Sequence, residues 1–225
     1  MISQYASLHS QPRATTSPLN NMPILKKLLS REEQGRDAAG GEKSKNLCKT
    51  SSMRALFIGR FQPLHWGHVK VVEWLLTHYE EVVVAIGSAD KALTLDNPFT
   101  PGERLEMFRR HFAGNCRLLF CTVPDTNGPT SLWGAYVRHW CPPYHIAYSN
   151  NPWVAAALGH WNVEVRSHPT YPGYSATAVR QAIAQGDEKW REMVPPAVAK
   201  YIEEIGGVAR VQQLAKTSKK VDSAH

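Results

Sequence analysis

Cysteine is scarce in this chain, with four residues among 225, and no two of them form a CxxC pair or another spacing typical of zinc sites. We therefore expect reduced thiols and a cytoplasmic protein. Outside the motif described below, the histidines show no ligand spacing either, so we predict no metal site built from protein ligands.

Long apolar runs are missing as well. No segment approaches the roughly 18 apolar residues that a membrane-spanning helix needs, which predicts a soluble protein with no membrane partner. The net charge of +7 lies mostly near the ends of the chain. Residues 53–215 contain 15 basic and 14 acidic side chains, whereas residues 1–52 contain 8 and 4. Because the central part lacks a basic stripe, we expect no nucleic-acid partner.

The composition divides the chain into three parts. Residues 1–52 are rich in small polar residues and lysine, and we predict a disordered or weakly ordered basic extension there. Residues 53–215 form the predicted domain, and residues 216–225 a flexible tail. Within the domain, residues 188–214 read as a helical segment that Pro195-Pro196 interrupts and Gly206-Gly207 closes.

Short apolar runs alternate with longer amphipathic segments after Met53. The runs predict strands at 54–58, 82–88, 117–123, 145–149 and 162–166. The amphipathic segments predict helices near 66–79, 102–112, 130–140, 152–160 and 177–186. This order is typical of an α/β fold, a Rossmann-like parallel sheet with helices on both faces. Ligands of such sheets bind beyond the carboxyl ends of the strands.

A strand, a glycine turn and a histidine pair follow one another in residues 54–68. Gly59 lets the chain turn off the predicted strand, and a helix is expected to begin near Trp66. His65 and His68, three residues apart, would then face one ligand at the positive end of that helix. A histidine pair alone is more often a surface feature, but in this context it predicts a site for nucleotide phosphates.

A second phosphate-binding pattern follows the last predicted strand. Ser175 or Thr177 is suited to cap a helix whose N-terminus again faces outward, and Arg180 lies about one turn inside it. Together with Arg60 and the histidine pair, these groups could surround one polyphosphate. A Ser/Thr cap is commonplace, so this pattern gains its meaning from the first.

Two further segments could lie near a ligand. The turn Gly87-Ser88 allows a nucleotide to approach backbone N–H groups, although an ordinary strand-to-helix turn explains it equally well. In Thr100-Pro101-Gly102-Glu103 we recognise a capping box with proline at the first helical position, a structural role. Arg104 on that helical turn could contact a ligand or pair with an acid of a loop.

Aromatic residues leave two interpretations open. Trp133 and Tyr136 could stack on a flat ring, but aromatics at helical spacing are more often part of a core. The other tryptophans show no pattern that points to a ligand, and we assign them to packing: Trp74, Trp140, Trp153, Trp161 and Trp190.

The motifs together resemble the nucleotidylyltransferase superfamily with the His-x-Gly-His signature, and most closely the archaeal-type nicotinamide-nucleotide adenylyltransferases. The resemblance covers about residues 53–215 and rests on Gly59-Arg60-Phe61-Gln62-Pro63, His65-Trp66-Gly67-His68, Gly87-Ser88-Ala89, Asn97-Pro98-Phe99-Thr100, Gly102-Glu103-Arg104, Leu132-Trp133, Tyr148-Ser149, Asn151-Pro152 and Ser175-x-Thr177-x-x-Arg180. It implies the nucleotidylyltransferase fold and a homo-oligomer. It also implies adenylyl transfer from ATP to nicotinamide mononucleotide, which gives NAD and pyrophosphate.

The resemblance further implies roles for single residues. The catalytic groups would be His65, His68, Arg60 and Arg180. ATP would be bound by Gly59, Arg60, Phe61, His65, His68, Ser175, Thr177 and Arg180. The acceptor nucleotide would be bound by Gly87, Ser88, Thr130, Trp133 and Asn151. Mg²⁺ would bridge phosphate oxygens of ATP and need few protein ligands.

Two positions depart from the pattern of this family. Thr130 stands where an asparagine three residues before the tryptophan is usual, with Asn127 in a longer loop, and Asn150 replaces a glycine. The first change leaves the acceptor open, with flavin mononucleotide or phosphopantetheine as alternatives. A catalytically silent nucleotide-binding regulator is another alternative, against which the intact histidines and Arg180 argue.

Overall fold

The computed structural model describes residues 53–222, with side chains up to residue 218. Residues 1–52, for which we predicted a disordered or weakly ordered extension, lie outside the described residues, as do the last three residues of the chain.

One parallel sheet of five strands forms the centre of the described region, in the order β3-β2-β1-β4-β5. The strands are β1 (Arg54–Gly59), β2 (Glu81–Ile86), β3 (Leu118–Thr122), β4 (Ile146–Tyr148) and β5 (Val165–Arg166). The helices are α1 (Trp66–His78), α2 (Pro101–His111), α3 (Thr130–Trp140), α4 (Pro152–Gly159), α5 (Ala176–Gln185), α6 (Trp190–Met193), α7 (Pro196–Glu204) and α8 (Gly207–Asp222). The predicted α/β class and the C-terminal helical segment are confirmed.

Successive strand residues alternate between two hydrophobic cores. Ala55 and Phe57 face one core, which α1, α2 and α5 to α8 complete, whereas Leu56 and Ile58 face a second core with α3 and α4. All six residues of β2 are buried, as expected for a strand covered on both faces. Each large apolar side chain buried in this way contributes about 1.5–3 kcal/mol relative to an exposed one. The predicted helices on both faces are therefore confirmed.

The start of α2 follows the capping signal in the sequence. Thr100 Oγ1 accepts a hydrogen bond from the backbone N–H of Glu103 at 3.2 Å, and Glu103 Oε2 accepts one from the N–H of Thr100 at 2.8 Å. Pro101 occupies the first helical turn, where its missing N–H costs nothing. The predicted capping box is confirmed, and it fixes where the loop after β2 ends.

The C-terminal helices continue further than the sequence indicated. Gly206, with a φ of 66°, separates α7 from α8 as expected of glycine at a helix end. A Cβ at Gly207 would lie 2.8 Å from the carbonyl oxygen of Ile202, so the two helices meet closely there. α8 then packs on α5 through buried Val211 and runs to Asp222. The glycine pair therefore joins two helices, and the boundary predicted at residue 216 falls inside α8.

The described region can be compared with what the sequence predicted about membrane-spanning helices and about the cysteines. No helix between residues 53 and 222 has both the length and the apolar character of a membrane span. Cys116, Cys121 and Cys141 carry free thiols. Cys121 lies in β3, as predicted, and its Sγ is 2.9 Å from that of Cys141.

Candidate active site

The predicted site residues gather at the carboxyl edge of the sheet. β1 leads into the turn with the histidine pair, β2 into Gly87-Ser88, and β4 into Ser149 and Asn151. The direction of the strand order reverses beside β1, because β2 and β3 lie on one side of it and β4 and β5 on the other. Such a reversal leaves a crevice between diverging connections, where ligands of open α/β sheets bind.

The two histidines form one unit at the N-terminus of α1. His65 is the N-cap residue, and its backbone N–H donates to Nδ1 of His68 at 3.4 Å. The rings stack, with centroids 3.6 Å apart and planes 26° apart. Because Nδ1 of His68 accepts a hydrogen bond, the proton of the neutral ring is on Nε2. The pair thus presents imidazole donors beside the free N–H groups of a helix.

Burial keeps both imidazoles uncharged in the absence of a ligand. His65 is 6% exposed, and desolvation lowers its pKa to about 4. Burial by the surrounding protein also lowers the pKa of His68 well below its usual range. The nearby His65 and His168 lower this pKa further. The two rings are therefore neutral at pH 7, and an arriving anion would favour their protonated forms.

Glycine at two positions of this turn makes room for rings. A Cβ at Gly59 would lie 2.8 Å from the ring of Phe61, and one at Gly67 would lie 2.9 Å from Cε1 of His65. The ring of Phe61 packs edge-on against His68, with centroids 4.8 Å apart. The missing side chain at Gly67 thus leaves the space that the ring of His65 occupies.

A cavity of about 270 Å³ brings the two phosphate-binding patterns together. It is lined by Arg60, Phe61, Gln62, His65, His68, Tyr174, Ser175, Ala176, Thr177 and Arg180. Seven of the eight residues predicted to bind ATP are in this lining. The eighth, Gly59, lies in the wall of the neighbouring cavity. Both α1 and α5 begin at this cavity, so two positive helix ends face it.

Arg180 is held in place mainly by backbone and hydroxyl groups. Its side chain is nearly buried, with Nη1 3.0 Å from the carbonyl oxygen of Gln62 and Nη2 3.5 Å from Oγ1 of Thr177. The nearby carboxylate of Asp96, 3.4 Å from Nη2, belongs to a side chain that is 80% exposed. Arg180 therefore keeps a positive charge at the cavity wall without a buried carboxylate to neutralise it. Ser175 caps α5 from beside it, with Oγ 3.5 Å from the N–H of Ala178.

A second cavity of about 490 Å³ adjoins the first and is suited to a flat ring. Its lining is Ile58, Gly59, Arg60, Gly87, Ser88, Lys91, Asp125, Thr126, Asn127, Trp133, Ser149, Asn151, Trp153 and Val154. Trp133 is 3% exposed, and its indole N–H has no hydrogen-bond partner within the described region. The aromatic wall and the polar groups around it can hold a base and a sugar.

Two predictions change at this cavity. Thr130, predicted to bind the acceptor, is not in the lining, because it starts α3 after the loop has passed over the cavity with Asn127. Trp153, which we assigned to packing, is 45% exposed and lies in the lining, with its ring centroid 5.0 Å from that of Trp133. Its position directly after Asn151-Pro152, at the end of β4, was the signal that could have placed it there.

Two charged side chains that the sequence did not single out, Lys91 and Asp125, are part of the lining of the larger cavity. Asp125 accepts a hydrogen bond from Oγ of Ser88 at 3.1 Å, and its other carboxylate oxygen lies 2.7 Å from Nζ of Lys91. The backbone N–H of Asp125 donates to Asp90 at 2.6 Å. These contacts join the loops after β2 and β3, which both line the cavity.

Arg60 connects the two cavities. It follows β1 directly, its side chain is exposed, and it is part of both linings. A polyphosphate in the smaller cavity and a phosphorylated ligand in the larger one would therefore both lie within the field of this guanidinium. Arginine is well suited to that position, because its planar donors match phosphate oxygens.

Known families and solved structures resemble this chain in sequence or fold. Residues 56–123 match the model of the cytidylyltransferase-like family. A bifunctional NMN adenylyltransferase/ADP ribose pyrophosphatase from Francisella tularensis, solved with AMP and a Mn ion, superposes with a TM-score of 0.58 at 18% identity. The alignment covers 77% of this chain and 54% of that one, so the chain spans about half of the bifunctional protein. At this identity the likeness concerns the fold.

Relatives of known name share much more of the sequence. The chain is 42% identical over 164 residues to the nicotinamide-nucleotide adenylyltransferase of Pyrobaculum neutrophilum, covering 71% of this chain and 92% of the relative. The enzyme of the same name from Ignicoccus hospitalis is 41% identical, and the alignment covers 73% of this chain and 99% of that relative. The one from Pyrococcus horikoshii is 39% identical, and the alignment covers 72% of this chain and 89% of the relative. This chain belongs to the family of nicotinamide-nucleotide adenylyltransferases.

Proposed function

We propose that this protein transfers the adenylyl group of ATP to nicotinamide mononucleotide and so forms NAD and pyrophosphate. The observation that carries the proposal is the pair of adjoining cavities that share Arg60, one lined by phosphate-binding groups and the other by two tryptophans. The names of the relatives agree with this reaction.

The reaction joins two phosphates without a covalent enzyme intermediate. An oxygen of the 5′-phosphate of nicotinamide mononucleotide forms a bond to the α-phosphorus of ATP, and the bond from that phosphorus to the bridging oxygen of the β-phosphate breaks. The electron pair leaves with pyrophosphate. The attacking phosphate is already mostly dianionic at neutral pH, with a second pKa near 6, so no general base is needed. Alignment and charge stabilisation supply the catalysis.

Neutral, buried imidazoles suit such a reaction as donors. We assign His65 and His68 to the phosphate oxygens on which negative charge accumulates as pyrophosphate leaves. Arg180, Ser175 and Thr177, which line the same cavity, would hold the triphosphate, and the N-termini of α1 and α5 would add positive electrostatic potential. Arg60 would lie beside the α-phosphate, where the two substrates meet.

The larger cavity would hold the acceptor. The nicotinamide ring would lie against Trp133 and Trp153, whose centroids are 5.0 Å apart, and Asn151 offers amide groups at the same wall. Gly87 and Ser88 line the side nearer to the sheet and would approach the ribose phosphate. Asn127, rather than Thr130, is the loop amide that could recognise the carboxamide.

Magnesium is proposed as the metal that accompanies ATP. The residues that line the smaller cavity include no carboxylate, which fits an ion held mainly by phosphate oxygens rather than by the protein. When bound, Mg²⁺ would neutralise charge on the phosphates. A homo-oligomer and a cytoplasmic location are likewise proposed, from the family resemblance and the reduced thiols respectively.

Incubation of the purified protein with ATP, Mg²⁺ and one acceptor at a time tests the proposal. The acceptors are nicotinamide mononucleotide, flavin mononucleotide and phosphopantetheine, with pyrophosphate release and product mass as readouts. We expect pyrophosphate and NAD with the first acceptor. Release with flavin mononucleotide alone would change the substrate assignment. ATP binding without pyrophosphate from any acceptor would favour the silent regulator.

A further inference from the structure

One buried arginine joins the two turns that form the site. Arg104 lies on the first turn of α2 and its side chain is fully buried. Its Nη1 donates to the carbonyl oxygens of Arg60 and Gly87, both at 2.8 Å, and its Nη2 donates to that of Ser88 at 3.2 Å. The sequence left a ligand or a loop acid as partners for Arg104. In the structure Arg104 instead binds the backbone of both turns, and it is in the lining of neither cavity.

The same two turns contain residues in a left-handed backbone conformation. Phe61 has a φ of 52° and Ser88 a φ of 48°, which residues other than glycine adopt at a cost. The carbonyl of Arg60 belongs to the peptide group in front of Phe61, and the carbonyl of Gly87 to the one in front of Ser88. One nitrogen of Arg104 therefore fixes the peptide group that precedes each of these two strained residues.

The first of the two turns lines both cavities, whereas the second lines the acceptor cavity alone. The first carries Arg60 and supports the ring of His68 through Phe61, beside the phosphate cavity. The second carries Gly87 and Ser88 in the wall of the acceptor cavity. The guanidinium of Arg104 therefore links the two turns, beside the hydrogen bond from the backbone N–H of Gly87 to the carbonyl oxygen of Gly59 at 2.9 Å. No carboxylate contacts Arg104 among residues 53–218, so backbone dipoles replace its water shell.

We propose that Arg104 is a positioning residue for adenylyl transfer. It holds the two left-handed turns in register and thereby aligns the acceptor phosphate with the α-phosphorus of ATP. The proposal rests on the proposed function. Alignment affects the reacting complex more than the binding of either substrate alone, because a shift between the turns changes where the two substrates lie relative to each other. A displacement of about 1 Å between reacting groups can lower a rate about a hundredfold.

The substitution Arg104→Lys tests this role, because lysine keeps the charge but lacks the planar fork that reaches several carbonyls. We expect kcat to fall about a hundredfold while the KM values for ATP and nicotinamide mononucleotide change by less than about threefold. Arg109→Lys is the matched control, since Arg109 is on the same helix, its side chain is 70% exposed and it pairs with Glu106. Its kinetics should be unchanged. An unchanged kcat in Arg104→Lys would overturn the proposal.

Second substitutions at Ser88 separate positioning from a general packing role. Glycine and alanine both remove the hydroxyl that donates to Asp125, but only glycine also removes the cost of the left-handed conformation. We expect Arg104→Lys/Ser88→Gly to regain about tenfold in kcat over Arg104→Lys/Ser88→Ala. Equal rates for the two double variants would contradict the proposal that Arg104 acts by holding this turn.

Folding and function failures can be told apart. If Arg104→Lys does not fold, Arg104→Met removes the buried charge together with its donors, and the Ser88 pair is compared in that background. If that also unfolds, the comparison is made on folding: Arg104→Lys/Ser88→Gly is expected to fold where Arg104→Lys/Ser88→Ala does not, and equal behaviour of the two counts against the proposal. If wild type and Arg109→Lys make no NAD, the proposed function fails, and the melting temperatures of the double variants still test Arg104.

Discussion

Two stacked imidazoles in a buried turn are more easily kept neutral than charged, and this property decides what they can do. General-base catalysis by His65 or His68 would add little to the rate, because the attacking phosphate is already deprotonated. As neutral donors they can follow the charge that develops on the phosphates, and a proton taken up on ATP binding would strengthen them further. The physical chemistry of the residues therefore favours charge stabilisation over proton abstraction.

Replacement of one imidazole tests this role directly. We expect His68→Ala to lower kcat about a hundredfold, the usual effect of losing one transition-state donor, with little change in KM for nicotinamide mononucleotide. His139→Ala is the control, because His139 is exposed on the last turn of α3 and lines neither cavity. Steady-state kinetics measure both. An unchanged kcat in His68→Ala would remove this histidine from the mechanism.

The pKa of His65 also predicts how stability depends on pH. The folded-state pKa of about 4 lies below the ordinary value of 6.5, so the unfolded chain binds a proton in this interval that the folded protein does not. Stability is therefore full above pH 6.5 and falls on acidification. Between pH 7 and pH 5 His65 should account for about 2 kcal/mol of the loss.

Urea denaturation of the wild type and of His65→Gln at several pH values measures this effect. The variant should lose less free energy of unfolding between pH 7 and pH 5 than the wild type does. Between pH 7 and pH 5 the protonation of carboxylates contributes little, because carboxylates generally titrate at lower pH. Parallel curves for the two proteins would show that His65 is not buried uncharged.

Single residues were also where the sequence was least informative. The histidines, Arg180 and the helix caps could be assigned because their local context defines them. Trp153 and Arg104 could not, because their roles depend on which loops meet at the carboxyl edge of the sheet. Thr130 lies outside the lining of the cavity for the same reason, since a longer loop before α3 moves Asn127 into it instead.

At the scale of elements, the order of strands and helices follows from hydrophobic periodicity and turn residues, and the capping box fixed the start of α2 in advance. The ends were less predictable. β5 has only two residues, and α8 extends to Asp222 because it packs on α5. Both depend on neighbouring elements that are distant in sequence.

Helix N-termini are the elements that the proposed mechanism uses, and Gly67 allows α1 to begin close to α5. A Cβ there would lie 2.9 Å from Cε1 of His65 and 3.1 Å from Cβ of Tyr174. We therefore expect Gly67→Ala to displace the histidine ring and to lower kcat at least about tenfold. Kinetics and thermal unfolding measure the result.

Gly102→Ala is the matched control for this substitution. Gly102 lies in the first turn of α2, and a Cβ there would meet nothing within 4 Å. Alanine should leave kcat unchanged and stabilise the protein by up to about 1 kcal/mol. If both variants behaved alike, the proposed contact between residue 67 and the histidine ring would be wrong.

At the scale of the whole molecule, the predicted site groups all follow Met53, and the net positive charge lies largely outside the domain. We therefore predict that a chain beginning at Met53 retains kcat within about twofold of the full chain, because it keeps every group assigned to ATP and to the acceptor. Kinetics of the two purified proteins compare them. A marked loss would assign residues 1–52 a part in the enzyme.

The central claim, direct transfer of the adenylyl group to the phosphate of nicotinamide mononucleotide, is tested most directly by isotope tracing. The acceptor is prepared with ¹⁸O in the non-bridging oxygens of its phosphate. Mass spectrometry then measures the ¹⁸O content of the NAD and the pyrophosphate that form in a single turnover. Direct attack on the α-phosphorus predicts that NAD keeps all of the label and that pyrophosphate has none. Labelled pyrophosphate, or the absence of NAD, would contradict the account.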